Sequence, residues 1–181
     1  MKNSNVNLKA IAKLGILCAI SIVLVYFIHF PIFPAVSFLE YDPADISILI
    51  GTFTFGPIAG LLLTVVVSFI QGFTVSASSG IYGVIMHIIA TGTLSLVSGL
   101  IYNKKKTKKR AAIALGLGTL AMVFVMFFAN LVITPLFMGG VTVDVVLGLM
   151  PFILGFNAIK AGINSIITFF LYKRISKFIR K

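Results

Sequence analysis

Residues 46–70 read ISILIGTFTFGPIAGLLLTVVVSFI, and whether they form one helix or two decides the topology of the chain. Gly56-Pro57 stands near the middle of the run. Proline lacks an N–H and disfavours helix at the residue before it, so the pair is a strong turn signal. Taken as one kinked span, the run joins apolar segments at about 9–29, 80–102, 111–133 and 147–172 to make five spans. Taken as two short helices, it makes six.

Charge separates the two readings. Apart from Lys160, the basic residues lie at the N-terminus (Lys2, Lys9, Lys13), in the tract KKKTKKR at 104–110, and at the C-terminus (Lys173, Arg174, Lys177, Arg180, Lys181). Cytoplasmic loops of membrane proteins carry an excess of Lys and Arg. With the N-terminus inside, five spans would strand the 104–110 tract outside. Six spans place every basic cluster on the cytoplasmic side, and Glu40, Asp42, Asp45 and Asp144 on the outer side. The expected fold is an all-α membrane protein, one transmembrane domain over 1–181 with helices at about 9–29, 43–55, 57–72, 80–102, 110–133 and 147–172.

Composition agrees with a lipid-solvated chain. Hydrophobic residues make up 59% and charged residues 10%, with a mean hydropathy of +1.13; soluble domains run at about 45–50% apolar and about 25% charged. At roughly 20 residues per span, 181 residues are used up by six helices and short connections, leaving no room for a nucleotide-binding domain. The net charge of +11 would suggest nucleic acid in a soluble chain, but here it flanks apolar runs. Lone Cys18 lies inside an apolar segment and offers neither a disulfide framework nor a cysteine metal site. The basic start and the apolar run after it lack a small-residue cleavage pattern, so they are read as a retained first helix rather than a signal peptide.

Asp42-Pro43 begins the second helix, with Asp42 as its N-cap and Pro43 at the first helical position. The helix then has only about 13 residues, or roughly 20 Å, too short to span alone. Such a segment is tolerated at membrane depth only where protein surrounds it or a cavity adjoins it, which predicts a pocket on the outer side. The apolar stretch PIFPAVSFLEYD at 31–42 is suited to lie over that pocket as a lid.

Lys160 falls near the middle of the last span, where a lysine costs about 2.5–3.5 kcal/mol on insertion scales, so it should face the bundle interior. Asn157 and Asn164, at i−3 and i+4, project from the same helical face. Together they offer donors and acceptors for a ligand rich in carbonyls, ring nitrogens or hydroxyls; the competing reading is an internal polar network that fixes helix packing. The four carboxylates lie in or next to outer loops, so no buried acid is expected beside Lys160, which argues against a carboxylate-based proton-driven carrier. Asn130, deep in the fifth span, has the same two readings. His87 could titrate or bind a ligand, or simply bond to a neighbouring backbone group. His29 is placed at the outer boundary. Gly15 and Ala19, spaced i,i+4, give the first helix a smooth face for close approach by another helix. The chain has 17 Phe and no Trp; aromatic rings could stack on a planar ligand, though most should face lipid.

Phosphate-loop, HExxH and supported Ser/His/Asp patterns are absent, so ATP hydrolysis and membrane-enzyme chemistry lack their residues, and no metal is expected. A stand-alone secondary carrier is a rival, but such carriers usually show paired repeats, and none is visible. A structural membrane subunit is another.

Several motifs carry a family resemblance over nearly the whole chain. They are Phe30-Pro-Ile-Phe-Pro34; Phe38-Leu-Glu-Tyr-Asp-Pro-Ala-Asp45 leading into Ile50-Gly-Thr-Phe-Thr-Phe-Gly-Pro-Ile-Ala-Gly60; Leu117-Gly-Thr-Leu-Ala-Met122 through Asn130; and Phe156-Asn-Ala-Ile-Lys-Ala-Gly162. Here the sequence resembles the substrate-binding S components of energy-coupling factor (ECF) vitamin transporters, most closely the riboflavin-specific type. It departs from that type at His87, where Asn is common, and at Leu131, where Tyr commonly follows the fifth-helix Asn. The resemblance implies a six-helix S component, without a cofactor, in a bacterial cell membrane. It would capture riboflavin, FMN or another water-soluble vitamin from outside. It implies a ligand site drawing on Leu39, Asp45, His87, Asn130, Asn157, Lys160 and Asn164. It further implies that Gly15 and Ala19 face a transmembrane T component carrying two ATPases, and that ATP-driven reorientation releases the vitamin inside.

Overall fold

A computed structural model describes residues 8–180, with the Arg180 side chain and the basic residues Lys2 and Lys181 outside the described part. Among the described residues are six α-helices: α1 (Leu8–Phe27), α2 (Ala44–Phe55), α3 (Pro57–Phe73), α4 (Gly80–Lys104), α5 (Lys108–Phe137) and α6 (Val143–Arg180). A two-stranded antiparallel ribbon, β1 (Phe30–Pro31) with β2 (Glu40–Tyr41), brackets a 3-10 turn at Pro34–Val36. The all-α architecture with six helices is therefore as the sequence implies.

The 46–70 run is two helices because of one backbone setting. Gly56 has φ 106° and ψ 171°, a conformation open in practice only to glycine, and its N–H closes α2 on the Thr52 carbonyl. Pro57 then opens α3, where its missing N–H is no loss. At the other end α2 begins at Ala44, one residue later than the Asp42-Pro43 reading places it, and the Asp42 carboxylate accepts the Ala44 N–H at 3.0 Å.

α1, α4, α5 and α6 are each long and apolar enough to cross a membrane; α2 and α3 are shorter apolar helices. Large apolar side chains on the outer surface, such as Phe27, Phe124, Val132 and Phe170, are more than half exposed. Water would penalise such a surface and hydrocarbon does not. α2 is the opposite case. Residues 44–54 are all buried, and α2 packs against α1, α3, α4 and α6. It is thus a central helix sheathed by protein, which explains how 12 residues with Asp45, Ser47, Thr52 and Thr54 lie within the bundle. Thr52 and Thr54 return their hydroxyls to the carbonyls of Ile48 and Ile50.

α5 and α6 run furthest past their expected ends. α5 reaches Phe137 with Pro135 inside it, and Thr134 Oγ1 donates to Asn130 Oδ1 at 2.8 Å in the turn before. α6 starts at Val143 with Asp144 in its first turn, where the helix dipole favours an anion, and continues to Arg180. Val36, with Phe33, Phe38 and Leu39 around it, packs on Val146, Met150 and Ile153 of α6. That contact seats the segment after α1 across one end of the bundle.

Candidate functional site

Beneath this seated segment lies a cavity with about 990 Å³ of empty space, its open mouth included. The segment contributes Phe38, Leu39, Glu40 and Asp42 to the lining; α3 adds Ser68 and Gln71, α4 His87 and Thr91, α5 Met122, Met126 and Asn130, and α6 Phe156, Asn157 and Lys160. Of the residues singled out from sequence, Leu39, His87, Asn130, Asn157 and Lys160 are thereby brought to one cavity. His29 reaches its edge, with Nδ1 at 3.0 Å from the Val25 carbonyl.

The polar side chains on the wall are pre-oriented by their own helices. Asn157 Nδ2 donates to the Ile153 carbonyl at 2.8 Å, and Asn130 Nδ2 donates to the Met126 carbonyl at 2.7 Å. Each amide then keeps one further N–H and acceptor capacity on its oxygen. A ligand would meet fixed partners rather than rotors, which lowers the ordering cost of binding.

Lys160 does have an acidic partner, contrary to the sequence expectation. Its Nζ lies 2.6 Å from Asp42 Oδ2, and both side chains are buried. The expectation put Asp42 in or next to an outer loop, away from Lys160, but β2 turns inward and carries Asp42 to the wall. There it becomes a junction: Oδ1 caps Ala44, Oδ2 also faces Gln71 Nε2 at 3.4 Å, and its carbonyl accepts from Asn164 Nδ2 at 3.0 Å. Only one of the three Lys160 donors is spent on Asp42, so the ammonium retains donors for a ligand.

Asn164 and Asp45 stand behind the wall rather than on it. Both are fully buried. Asn164 spends its two N–H groups on the Asp42 carbonyl and Asp45 Oδ2, and its oxygen accepts from the Tyr41 hydroxyl at 3.1 Å. Burial, together with the Asp42 and Asp45 carboxylates, pushes the Tyr41 phenol above its usual value despite the opposing Lys160 charge, so Tyr41 stays a donor. Asp45 accepts from Thr91 Oγ1 at 2.7 Å and faces His87 Nε2 at 3.4 Å. His87 Nδ1 meets Ser68 Oγ at 2.9 Å, so His87 bonds to side chains of α2 and α3 and not to a neighbouring backbone group.

Asp42, Ser68, Gln71 and Thr91 were missed from sequence. Asp42 and Asp45 at i,i+3, and Ser68 and Gln71 at i,i+3, were the available signals. Gly15 and Ala19 lie on the exposed face of α1, away from the cavity, and a Cβ at Gly15 would meet nothing within 4 Å.

A profile of the family described as "ECF transporter, substrate-specific component" matches residues 9–172. The chain is 30% identical to the riboflavin transporter RibU of Staphylococcus aureus (strain TCH60), over 96% of this chain and 93% of that one. It is 25% identical to the riboflavin transporter FmnP of Bacillus subtilis (strain 168), over 96% and 95%. A solved structure described as the S component of a bacterial ECF transporter superposes with a TM-score of 0.80 at 29% identity, covering 96% of this chain and 98% of the other.

Proposed function

The chain belongs to the substrate-specific components of ECF transporters, multi-pass membrane subunits rather than enzymes, and from that premise we propose that its cavity captures riboflavin, or its phosphate FMN, from the outer side. The observation that carries the reading is the convergence of Lys160, Asn157 and Asn130 on one largely apolar cavity, in a chain whose two relatives are named as riboflavin transporters. The isoalloxazine ring has carbonyl and ring-nitrogen acceptors and an N–H donor along one edge. Those groups need partners when they leave water, and Lys160 with the two amides supplies both kinds. Met122, Met126, Phe38 and Phe156 supply the apolar surface against which a planar ring loses its hydration. The segment bearing Leu39 and Asp42 excludes water from the other side.

Both termini would face the cytoplasm, following the positive charge of the N-terminal, 104–110 and C-terminal clusters. Family membership implies energising partners. A T component would approach the bare Gly15–Ala19 face of α1, and two ATPases bound to it would drive release inward.

The direct test is to purify the chain in detergent and identify what comes with it by mass spectrometry and absorption, followed by titration with riboflavin, FMN and an unrelated vitamin such as thiamine. A bound flavin and quenching of flavin fluorescence at substoichiometric ligand are expected. Thiamine binding in preference to both flavins would refute the substrate.

A further inference from the structure

α6 is longer than a membrane requires. Its 38 residues extend about 57 Å at 1.5 Å per residue, against a hydrocarbon core of about 30 Å. The family match stops at residue 172, and α6 continues to Arg180. This extension is held to the bundle. Tyr172 is buried against the rings of Phe53 and Tyr102, Ser176 Oγ lies 2.7 Å from Thr54 Oγ1, and Ile175 and Ile179 pack on the main core. Its outward face is therefore fixed: Lys173, Arg174, Lys177 and Phe178 are exposed, and Phe178 is 81% exposed. Arg174, Lys177 and Phe178 stand within about one turn of helix on that face.

Two features specify what would occupy it. The first is charge. The ring contact between Tyr172 and Tyr102 brings this face to the same end as the 104–110 tract. All four carboxylates of the chain, Glu40, Asp42, Asp45 and Asp144, belong to the pocket end. Charge complementarity at the basic end favours an anionic occupant. The second is continuity. Phe170, Arg174, Lys177 and Phe178 follow an i, i+4, i+7, i+8 stripe, and the exposed Ile163 and Ile166 extend it along the apolar wall. A ligand following that stripe carries an apolar chain and ends in an anionic head.

We propose that this face of α6 binds an anionic phospholipid, its phosphate taken by Arg174 and Lys177 and its glycerol–acyl boundary by Phe170, which lies between them and the apolar wall. Arg offers a fork of N–H donors to phosphate oxygens, Lys a point charge, and an aromatic ring suits the depth where headgroup meets chain. The contact would fix the depth and rotation of α6, and with it the bundle, in the bilayer.

The full chain in mild detergent is titrated with phosphatidylglycerol or phosphatidylcholine of the same acyl chains, and bound lipid is counted by native mass spectrometry. Phosphatidylglycerol should be retained about tenfold more tightly, and the preference should shrink as salt rises. Arg174→Gln with Lys177→Gln should lose about tenfold in phosphatidylglycerol retention, with the unfolding temperature in the absence of lipid unchanged. Equal retention of the two lipids by the parent chain overturns the proposal whatever the variant does. So does loss of the preference on replacing Lys104, Lys105 and Lys106 by Gln while the α6 double variant keeps it. An α6 double variant that binds lipid normally but no longer associates with the energising proteins makes this a protein-docking edge, and also overturns it.

Discussion

Lys160 Nζ stands 2.6 Å from Asp42 Oδ2, an ion pair closed between residues 118 apart in sequence with both side chains buried. Removing one partner of a buried pair leaves the other charge uncompensated, at a cost of about 3–5 kcal/mol. Asp42→Asn keeps the shape and an acceptor but not the charge. Its unfolding temperature without ligand should fall clearly below that of the parent, and riboflavin binding should weaken with it. A variant as stable as the parent would mean that Lys160 is neutralised by some other group.

Asn157 tests the wall without that complication, because its amide is fixed by the Ile153 carbonyl and takes no part in the Asp42 junction. Losing one buried ligand hydrogen bond costs about 1–3 kcal/mol, so Asn157→Ala should weaken riboflavin on the order of tenfold by fluorescence titration, with little change in ligand-free stability. Lys160→Ala should lose at least as much affinity and also stability, since it strands Asp42. Unchanged affinity in both folded variants would assign Lys160 to helix packing alone.

Asn164 should give the opposite pattern. It is fully buried, bonded on both ends of its amide, and not on the cavity wall. Asn164→Leu should lower thermal stability by more than it lowers intrinsic affinity, measured at a temperature where the variant is fully folded. A purely affinity-lowering effect would place Asn164 at the ligand after all.

Much of this was legible in the sequence. The break at Gly56-Pro57 could be read because proline and glycine act locally, whatever surrounds them. Lys160, Asn157 and Asn130 could be read because a polar group at membrane depth must face inward. Asp42 could not be placed the same way. In the sequence it is a polar residue beside a helix start, and nothing local tells that the ribbon of Phe30–Pro31 with Glu40–Tyr41 folds it into the wall. The division between Asn157 on the wall and Asn164 behind it is likewise tertiary: the two share a helical face, and only the depth of β2 and α2 against α6 separates them.

Gly56 isolates backbone strain from packing. A Cβ at this position would meet nothing within 4 Å, while the φ of 106° is one that side-chain-bearing residues rarely adopt. Gly56→Ala should therefore cost about 1–3 kcal/mol through the backbone alone, read as a lower unfolding temperature in detergent with the riboflavin affinity of the folded fraction retained.

The exposed α1 face makes a separable claim. Gly15→Leu or Ala19→Leu puts bulk where close helix approach is expected and nothing within the subunit is displaced. Uptake by cells carrying the complete transporter should fall while riboflavin binding by the isolated subunit stays at the parent value. Loss of binding in the same variants would bring that face to the cavity.

The sheathing of α2 has a consequence for how the chain is made. An acid within hydrocarbon is costly unless it finds a polar partner, and α2 emerges with Asp45 in its first turn and only 12 residues, about 18 Å of helix. Its acid meets His87 and Thr91 only once α4 has been synthesised, and Asn164 only with α6. α2 therefore cannot be a free-standing unit of insertion. It settles as later helices close around it, and a chain truncated before α6 would leave Asp45 without its contact to Asn164.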